Sequence, residues 1–156
     1  MRRYKLKKES LYLDTSVPSA YFDKRTEERQ SATIKFWETV LPDYQVYISE
    51  ITIGELDNTK DEALRNKLKY LVKNFEILKT NEEIKTLAKA YVDNNIFSEK
   101  YIDDALHVAI ASFYEITYLL SWNFEHLVKV KKRKQVNSVN ILKGFGEIEI
   151  ISPQEL

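Results

Sequence analysis

The amino-acid sequence predicts an α/β fold in which helices are layered on a mostly parallel β-sheet. Short apolar runs alternate along the chain with longer stretches of helical periodicity, and this alternation is typical of parallel sheets. A polar residue or a turn closes each apolar run. Because ligands of such sheets bind at the carboxyl ends of the strands, the residues that follow each run are the first candidates for function.

The first half of the chain begins with a strand and a long helix. The run at 10–14 is short and apolar and predicts the first strand. The stretch 26–41 predicts a helix, which Pro42 and Asp43 end. The elements that follow are a strand at 45–48, helices at 52–58 and 61–73, and a strand at 75–78.

The second half repeats the alternation of helices and strands. Thr80 begins a helix, with Glu83 three residues later as a capping box, and Asn94 and Asn95 end it. Ser98 is the expected cap of the next helix. The remaining elements are that helix at 101–112, a buried strand at 116–120, a helix or irregular segment at 124–141 and a last strand at 148–151.

Composition narrows the class of protein. The chain has 24 basic and 24 acidic residues, so it is not a polybasic nucleic-acid binder as a whole. It has no cysteine, which excludes disulfides, thiolate nucleophiles and cysteine zinc sites. No repeat or linker divides residues 1–156, which are predicted to form one domain. No membrane span or signal peptide is predicted, so a cytoplasmic protein is expected.

Two candidate acids lie just after predicted strands. Asp14 follows the first strand and precedes Thr15 and Ser16; the structural alternative is an Asx-type cap of the next helix. Glu55 follows the second strand, and its structural alternative is a capping box with Thr52 as N-cap. Either acid could therefore serve the backbone and not a ligand.

Asp104 has no such local explanation, because it lies inside an apolar helix. Its structural alternative is an ion pair with a lysine or arginine. Asp103 points about 100° away around the helix, and His107 follows Asp104 at i+3. We interpret His107 as a core histidine hydrogen-bonded to a nearby carboxylate or carbonyl. Asn123 follows the strand at 116–120, with a turn residue as its alternative.

Three acids and one amide near strand ends suggest a convergent site rich in oxygen. Such ligands favour hard cations such as Mg²⁺ or Mn²⁺, and a cation would offset the repulsion between the carboxylates. Zinc is not expected, because His107 and His126 lack a convincing ligand spacing. A site of this kind can polarise a phosphodiester and activate a water molecule.

Four sequence motifs resemble those of the PIN-domain nucleases, especially the VapC-like ribonucleases of bacterial toxin–antitoxin modules. They are LDTS at 13–16, ISEITIGEL at 48–56, DALHVAIA at 104–111 and LLSWNF at 119–124. Each motif is weak alone, whereas their order and separation are specific. The resemblance covers nearly the whole chain and implies a PIN-like three-layer α/β/α sandwich around a mostly parallel sheet.

The resemblance also implies roles for individual residues. Asp14, Glu55 and Asp104 match the three acids of the family and would hold Mg²⁺ or Mn²⁺, and Asn123 matches its fourth position, an Asp or Asn. An uncharged Asn123 should weaken metal binding modestly and makes a second metal ion less certain. The supporting residues implied around the catalytic set are Thr15 or Ser16, Ser121 and Asp103.

These roles predict a metal-dependent endoribonuclease that hydrolyses RNA, with an antitoxin protein and a homodimer expected from the family alone. Two basic clusters could contact RNA, or form solvated faces. The alternative function is a non-catalytic PIN-like module that binds RNA or protein. A HAD-type phosphatase is not favoured, because that class needs an acid at position 16 and this chain has Ser16. A receiver domain is not favoured either, because it needs paired acids after its first strand and Asp14 stands alone there. The basic clusters are Arg2, Arg3, Lys5, Lys7 and Lys8, and Lys129, Lys131, Lys132, Arg133 and Lys134.

Overall fold

A five-stranded parallel sheet forms the centre of the computed structural model, which describes residues 8–156. The strands are β1 Ser10–Leu13, β2 Gln45–Ser49, β3 Glu76–Leu78, β4 Tyr118–Leu120 and β5 Glu149–Ile151. Their order across the sheet is β3-β2-β1-β4-β5, and each neighbouring pair runs parallel. The predicted α/β fold is therefore confirmed.

Helices cover both faces of this sheet. Helices α1 to α4 pack on one face with β-strand residues such as Leu11, and α5 to α7 pack on the other with residues such as Tyr12. This arrangement is the expected three-layer sandwich. The helices are α1 Ser16–Tyr21, α2 Glu27–Thr39, α3 Glu50–Asp57, α4 Glu62–Leu71, α5 Glu82–Asp93, α6 Ile102–Phe113 and α7 Val130–Leu142.

The strands divide the buried residues between the two faces by simple alternation. In β1, Leu11 and Leu13 face α1 to α4, whereas Tyr12 faces α5 to α7. In β4, Leu119 and Leu120 likewise belong to opposite cores, and both are fully buried. Because each such side chain stabilises the fold by about 1.5–3 kcal/mol, the alternation anchors the sheet on both faces.

The carboxyl ends of β1, β2 and β4 lie side by side. The register pairs Leu13 with Leu120, and the backbone N–H of Asp14 continues this pairing by donating to the Leu120 carbonyl at 3.1 Å. The strand order reverses at β1, because β2 lies on one side of it and β4 lies on the other. Parallel sheets bind ligands at such a topological switch point, beyond the carboxyl ends of the strands. Asp14 lies there.

Several local expectations differ from the structure. Helix α1 was not predicted; Pro18 lies in its first turn, where the missing N–H of proline is tolerated. Helix α5 is capped by Asn81 and not by Thr80, because the Asn81 side chain accepts the Ile84 N–H at 2.8 Å. Ser98 precedes a short 3₁₀ turn at Glu99–Tyr101, and α6 begins after it without a side-chain cap.

The irregular part of the segment predicted at 124–141 is a π-helical turn, Phe124–Val128, which precedes α7.

Of the two basic clusters, only Lys8 and the cluster at the start of α7 fall within the described part of the chain; Arg2, Arg3, Lys5 and Lys7 lie outside it. No helix within residues 8–156 combines the length and apolar character that crossing a bilayer requires.

Candidate functional site

Asp14 lies at the end of β1 and is 4% exposed. Its Oδ1 accepts the Ser16 backbone N–H at 3.0 Å and the Ser16 hydroxyl at 2.5 Å, and its Oδ2 accepts the Ser121 hydroxyl at 2.5 Å. Burial raises the pKa of Asp14, although the charge of His107 and these hydrogen bonds oppose the rise. The structure thus brings the two predicted supporting serines onto this carboxylate.

The same two serines join the ends of β1 and β4. The Ser16 hydroxyl accepts the Trp122 N–H at 2.8 Å, and the Ser121 hydroxyl accepts the Asn123 N–H at 2.9 Å. Each hydroxyl therefore accepts a hydrogen bond from a backbone N–H and donates one to Asp14. The carboxylate is consequently held by the loop that follows the neighbouring strand.

Glu55 does not cap a helix, so the structural alternative offered by the sequence is wrong. The N-cap of α3 is Ser49, and its capping box closes on Thr52, which occupies position N3. Glu55 lies farther along α3, where its Oε1 accepts the Thr15 hydroxyl at 3.0 Å and lies 2.6 Å from His107 Nε2. Burial would raise the pKa of Glu55, but these bonds and the His107 charge outweigh it, and the pKa is lowered.

Asp104 occupies the first turn of α6 and is partly buried. It enters no ion pair with a lysine or arginine among residues 8–156, so the structural alternative is wrong for the described chain. Burial raises the pKa of Asp104, His107 lowers it, and the charges of Asp14 and Glu55 raise it further, for a net rise. The three predicted acids are therefore electrostatic neighbours.

The two remaining predicted residues are placed less centrally. Asp103 is exposed on α6, next to Asp104 but turned towards solvent. Asn123 is the N-cap of the π-helical turn, and its Oδ1 accepts the His126 backbone N–H at 3.0 Å. Its side-chain oxygen is consequently engaged in capping, as its structural alternative expects.

His107 is the hub of a buried hydrogen-bond network. It is 1% exposed, its Nε2 faces Glu55, and its Nδ1 lies 2.5 Å from the Tyr12 hydroxyl. The Tyr12 hydroxyl in turn lies 2.7 Å from the Ser49 hydroxyl. Burial lowers the pKa of His107, but the Glu55 bond and the charges of Asp14, Glu55 and Asp104 outweigh it, so the pKa is raised. The interpretation of His107 as a core histidine bonded to a carboxylate describes this geometry.

Sequence analysis did not identify Tyr12 or Ser49 as site residues. Tyr12 stands between two leucines in a strand and has the pattern of an ordinary core residue. His126 was set aside for its spacing, yet its ring stacks on Tyr101 with centroids 4.2 Å apart, and its charge lowers the pKa of Asp104. The i+3 spacing of Asp104 and His107 was the one sequence signal that pointed towards this network.

The donor set has the chemistry of a hard-cation site. Asp14, Glu55 and Asp104 offer carboxylate oxygens, and burial and mutual repulsion raise the pKa of Asp104, which a divalent charge would relieve. Within residues 8–156, no three acidic or histidine side chains form a ready-made metal cluster. The residue types fit Mg²⁺ or Mn²⁺, and their oxygens would converge through side-chain movement.

Comparison with known proteins identifies the family. The sequence model of the PIN domain matches residues 11–131. Because this match covers most of the chain, the chain belongs to the PIN-domain family. No curated protein sequence is similar enough to this chain to count as a match.

Solved structures share the fold at low sequence identity. FitAcB from Neisseria gonorrhoeae has a TM-score of 0.60 at 16% identity over 94% of this chain and 99% of that chain. VapBC-1 from nontypeable Haemophilus influenzae has a TM-score of 0.60 at 15% identity over 93% and 98% of the two chains. VapC20 from Mycobacterium tuberculosis, described as a sarcin-ricin loop cleaving toxin, has 0.61 at 14% identity over 74% and 92%. At such identities the likeness establishes the fold alone.

Proposed function

We propose that the protein is a divalent-metal-dependent endoribonuclease, a hydrolase of RNA phosphodiester bonds. The observation that carries this proposal is the position of Asp104. It is a partly buried carboxylate without an ion-pair partner in the described chain, and its pKa is raised by burial and by the neighbouring charges of Asp14 and Glu55. Such a group is costly to fold unless a cation binds beside it.

Asp14, Asp104 and Glu55 are the residues that would hold Mg²⁺ or Mn²⁺. The cation supplies Lewis acidity and neutralises the charge that develops on the phosphate during hydrolysis. The chain positions the ligands: Ser16 and Ser121 fix both oxygens of Asp14. The side-chain Oδ1 of Asn123 caps the following turn, so its amide nitrogen is the group that would fix ligand geometry.

Glu55 would orient the attacking water. Thr15 and His107 both bond to its Oε1, which leaves Oε2 as the oxygen that can accept a hydrogen bond from the water. The lowered pKa of Glu55 keeps its carboxylate ionised and therefore an acceptor. His107 is not assigned as the general base in this proposal.

RNA would approach along the start of α7. Lys129, Lys131 and Lys134 are exposed there, and neutralisation of phosphates by such side chains supplies much of the affinity for RNA. Lys132 and Arg133 are partly buried, and they donate to the Ile96 and Ile150 carbonyls. The basic cluster of α7 thus divides into three exposed cations and two with structural contacts.

The proposed biological role is that of the toxin in a toxin–antitoxin pair. The structure of similar fold from Klebsiella pneumoniae is described as a toxin–antitoxin complex, with 18% identity and a TM-score of 0.57. We extend to this chain an antitoxin partner, a homodimer and a single PIN-like domain over residues 1–156. An RNA substrate fits the cytoplasmic location expected from the sequence.

The alternative is a non-catalytic PIN-like module that binds RNA or protein. The observation favouring it is that the described acids do not already form a metal cluster. A metal titration during RNA cleavage decides between the two functions. A wild-type protein that binds RNA but never cleaves it in Mg²⁺ or Mn²⁺ would establish the binding module.

The test of the site compares Asp104→Asn with wild type on a mixed pool of RNA oligonucleotides. Asp104→Asn should abolish metal-dependent cleavage and leave the circular dichroism spectrum unchanged. The matched control is Asp43→Asn, which removes the same charge from an exposed position just before β2. That position lies at the amino ends of the strands, opposite to the site. Full cleavage by a highly purified Asp104→Asn protein would reject the assignment.

A further inference from the structure

We propose that Ser49, Tyr12 and His107 form a directed hydrogen-bond relay that fixes the Glu55 carboxylate, which makes His107 and Tyr12 positioning residues. The relay begins at the N-terminus of α3, crosses β1 and α6, and returns to α3 at Glu55. Its effect on cleavage rests on the proposed function, whereas the direction of its hydrogen bonds follows from the contacts of Ser49 and from a neutral imidazole at His107.

The direction is set at Ser49. Its hydroxyl oxygen accepts the backbone N–H groups of Ile51 at 3.1 Å and Thr52 at 3.4 Å, as the N-cap of α3. A serine hydroxyl has two acceptor lone pairs and one donor proton. With both lone pairs occupied, Ser49 donates its own proton to the Tyr12 oxygen, 2.7 Å away.

The second step is the Tyr12 hydroxyl, which is fully buried. A phenol keeps its proton at neutral pH, because its ordinary pKa is about 10. The Tyr12 hydroxyl lies within hydrogen-bond distance of the Ser49 hydroxyl and of His107 Nδ1, and the Thr52 side chain lies near it at longer range. Because Ser49 cannot accept a further bond, Tyr12 donates to Nδ1, which therefore carries no proton in the neutral imidazole.

The third step is the bond to Glu55. A neutral imidazole without a proton at Nδ1 carries it at Nε2, which then donates to Glu55 Oε1 at 2.6 Å. Protonation of the ring keeps the Nε2–H donor to Glu55 but adds a proton at Nδ1, which then donates to the Tyr12 oxygen. The direction from Tyr12 to His107 therefore belongs to the neutral ring, whereas the donor to Glu55 is present in both forms. The relay therefore excludes only the Nδ1–H tautomer, in which Nε2 and the carboxylate would present two acceptors to each other.

The relay restricts the rotamers of the Glu55 side chain, whose carboxylate has to be held in one orientation for the proposed reaction. A glutamate on a helix loses rotamer entropy when it is fixed, and the cost is smaller at substrate binding if the side chain is already held. The His107 and Thr15 donors fix Glu55 before substrate binds, and orientation of this kind acts on the chemical step. His107 consequently donates to Glu55 and does not abstract a proton from water.

Two substitutions of His107 separate positioning from simple folding. The amide nitrogen of Gln reaches the place of Nε2, whereas that of Asn matches Nδ1, so only Gln preserves a donor to Glu55. We expect His107→Asn to lower kcat by about tenfold to a hundredfold with KM little changed, and His107→Gln to recover most of it. Equal losses in the two variants would overturn the relay.

Tyr12→Phe should also lower kcat, because Nδ1 loses its donor. Its matched control is Tyr91→Phe, which removes another fully buried hydroxyl, bonded to Ser112 and Asn140 on the same side of the sheet. The two variants should lose similar stability, measured by thermal unfolding, but only Tyr12→Phe should lose kcat. Equal losses of kcat would show a merely structural role and overturn the proposal.

A spectroscopic readout tests the direction without cleavage. Imidazole ¹⁵N spectra, recorded at increasing pH until the His107 ring has lost one proton, should then show a protonated Nε2 and a bare Nδ1 for His107. The chain has two histidines, and His107→Gln assigns the signals. A protonated Nδ1 on the neutral ring of wild type overturns the relay. If wild type cleaves no RNA, the proposed function fails and this spectrum still decides the relay.

Discussion

Asp104 shows how a proposed metal ligand can oppose the stability of its own fold. Its carboxylate is partly buried, and Asp14 and Glu55 add like charge beside it. The pKa is raised, which means that the ionised form is less favourable in the folded chain than in the unfolded chain. At neutral pH without a cation, this residue therefore lowers the free energy of unfolding.

Replacing Asp104 with asparagine should stabilise the protein when metal is absent. The amide keeps the shape but removes the repelled charge, and we expect about 1 kcal/mol, or roughly 2–4 °C in Tm, for a chain of this size. The measurement is thermal unfolding in a chelating buffer, with Asp43→Asn as the control of unchanged Tm. Added Mn²⁺ should then raise Tm for wild type and not for Asp104→Asn; a Tm for Asp104→Asn at or below wild type in chelator contradicts the prediction.

Residue-level interpretation from the sequence named candidates where position along an element was informative. Asp14 follows a strand, and Asp104 stands among apolar residues, although the structure places Asp104 in the first turn of α6 and not deeper inside the helix. Tyr12 was missed because a tyrosine in an apolar strand has no local anomaly. Tyr12 joins the network through its contact with His107, which lies 95 residues away in the sequence. A pattern of neighbouring residues cannot reveal a contact over that separation.

At the scale of elements, the sequence offers two alternatives for the basic cluster at the start of α7. It could contact RNA, or it could be a solvated face. Its exposed lysines are Lys129, Lys131 and Lys134. Lys132 is different: burial lowers its pKa, as does the charge of Lys129, while Asp104 raises it. That dependence on Asp104 places α7 electrostatically close to the acid site.

Changing the three exposed lysines of α7 to glutamine should flatten the salt dependence of RNA binding. If each contacts one phosphate, the slope of log K against log salt should fall in magnitude by about 2, at roughly 0.7 per contact for single strands. The measurement is binding to the Asp104→Asn protein across a salt series. A control with glutamine at the exposed Lys35, Lys60 and Lys67 should keep the wild-type slope; an unchanged slope in the α7 variant removes this segment from the RNA path.

Helix α3 shows why the ends of elements were less predictable than their existence. Thr52 and Glu55 have the spacing of a capping box. Ser49 and Thr52 have the same spacing, and they form the capping box that is present in the structure. The sequence alone cannot choose between two overlapping cap patterns. Tertiary contacts choose, because Tyr12 and His107 engage Ser49 and Glu55 from other elements.

At the scale of the whole molecule, one sheet joins two separate cores. Leu119 and Leu120 are neighbours in β4, both fully buried, and they face opposite layers of helices. Each core therefore depends on the same strand. The site lies where that strand ends beside β1, so damage to either layer should reach it.

Leu119→Ala and Leu120→Ala should each destabilise the protein by about 2–4 kcal/mol, the usual range for a fully buried leucine. Both variants should unfold in one transition, because the sheet couples the two layers. The measurement is urea unfolding followed by circular dichroism and by tryptophan fluorescence, since Trp37 and Trp122 both report on the core of α1 to α4. Separate transitions from the two signals for Leu119→Ala would show that the cores unfold independently.

The sequence by itself determined the alternation of strands and helices and the acids at the strand ends, because hydrophobic periodicity and element order are local properties. Only the tertiary structure decided how those acids are held. Thr15 bonds to Glu55 across 40 residues, and Ser121 bonds to Asp14 across 107. These pairs depend on the strand order, which places β4 beside β1, and the hydrophobic pattern of a strand does not specify its neighbours.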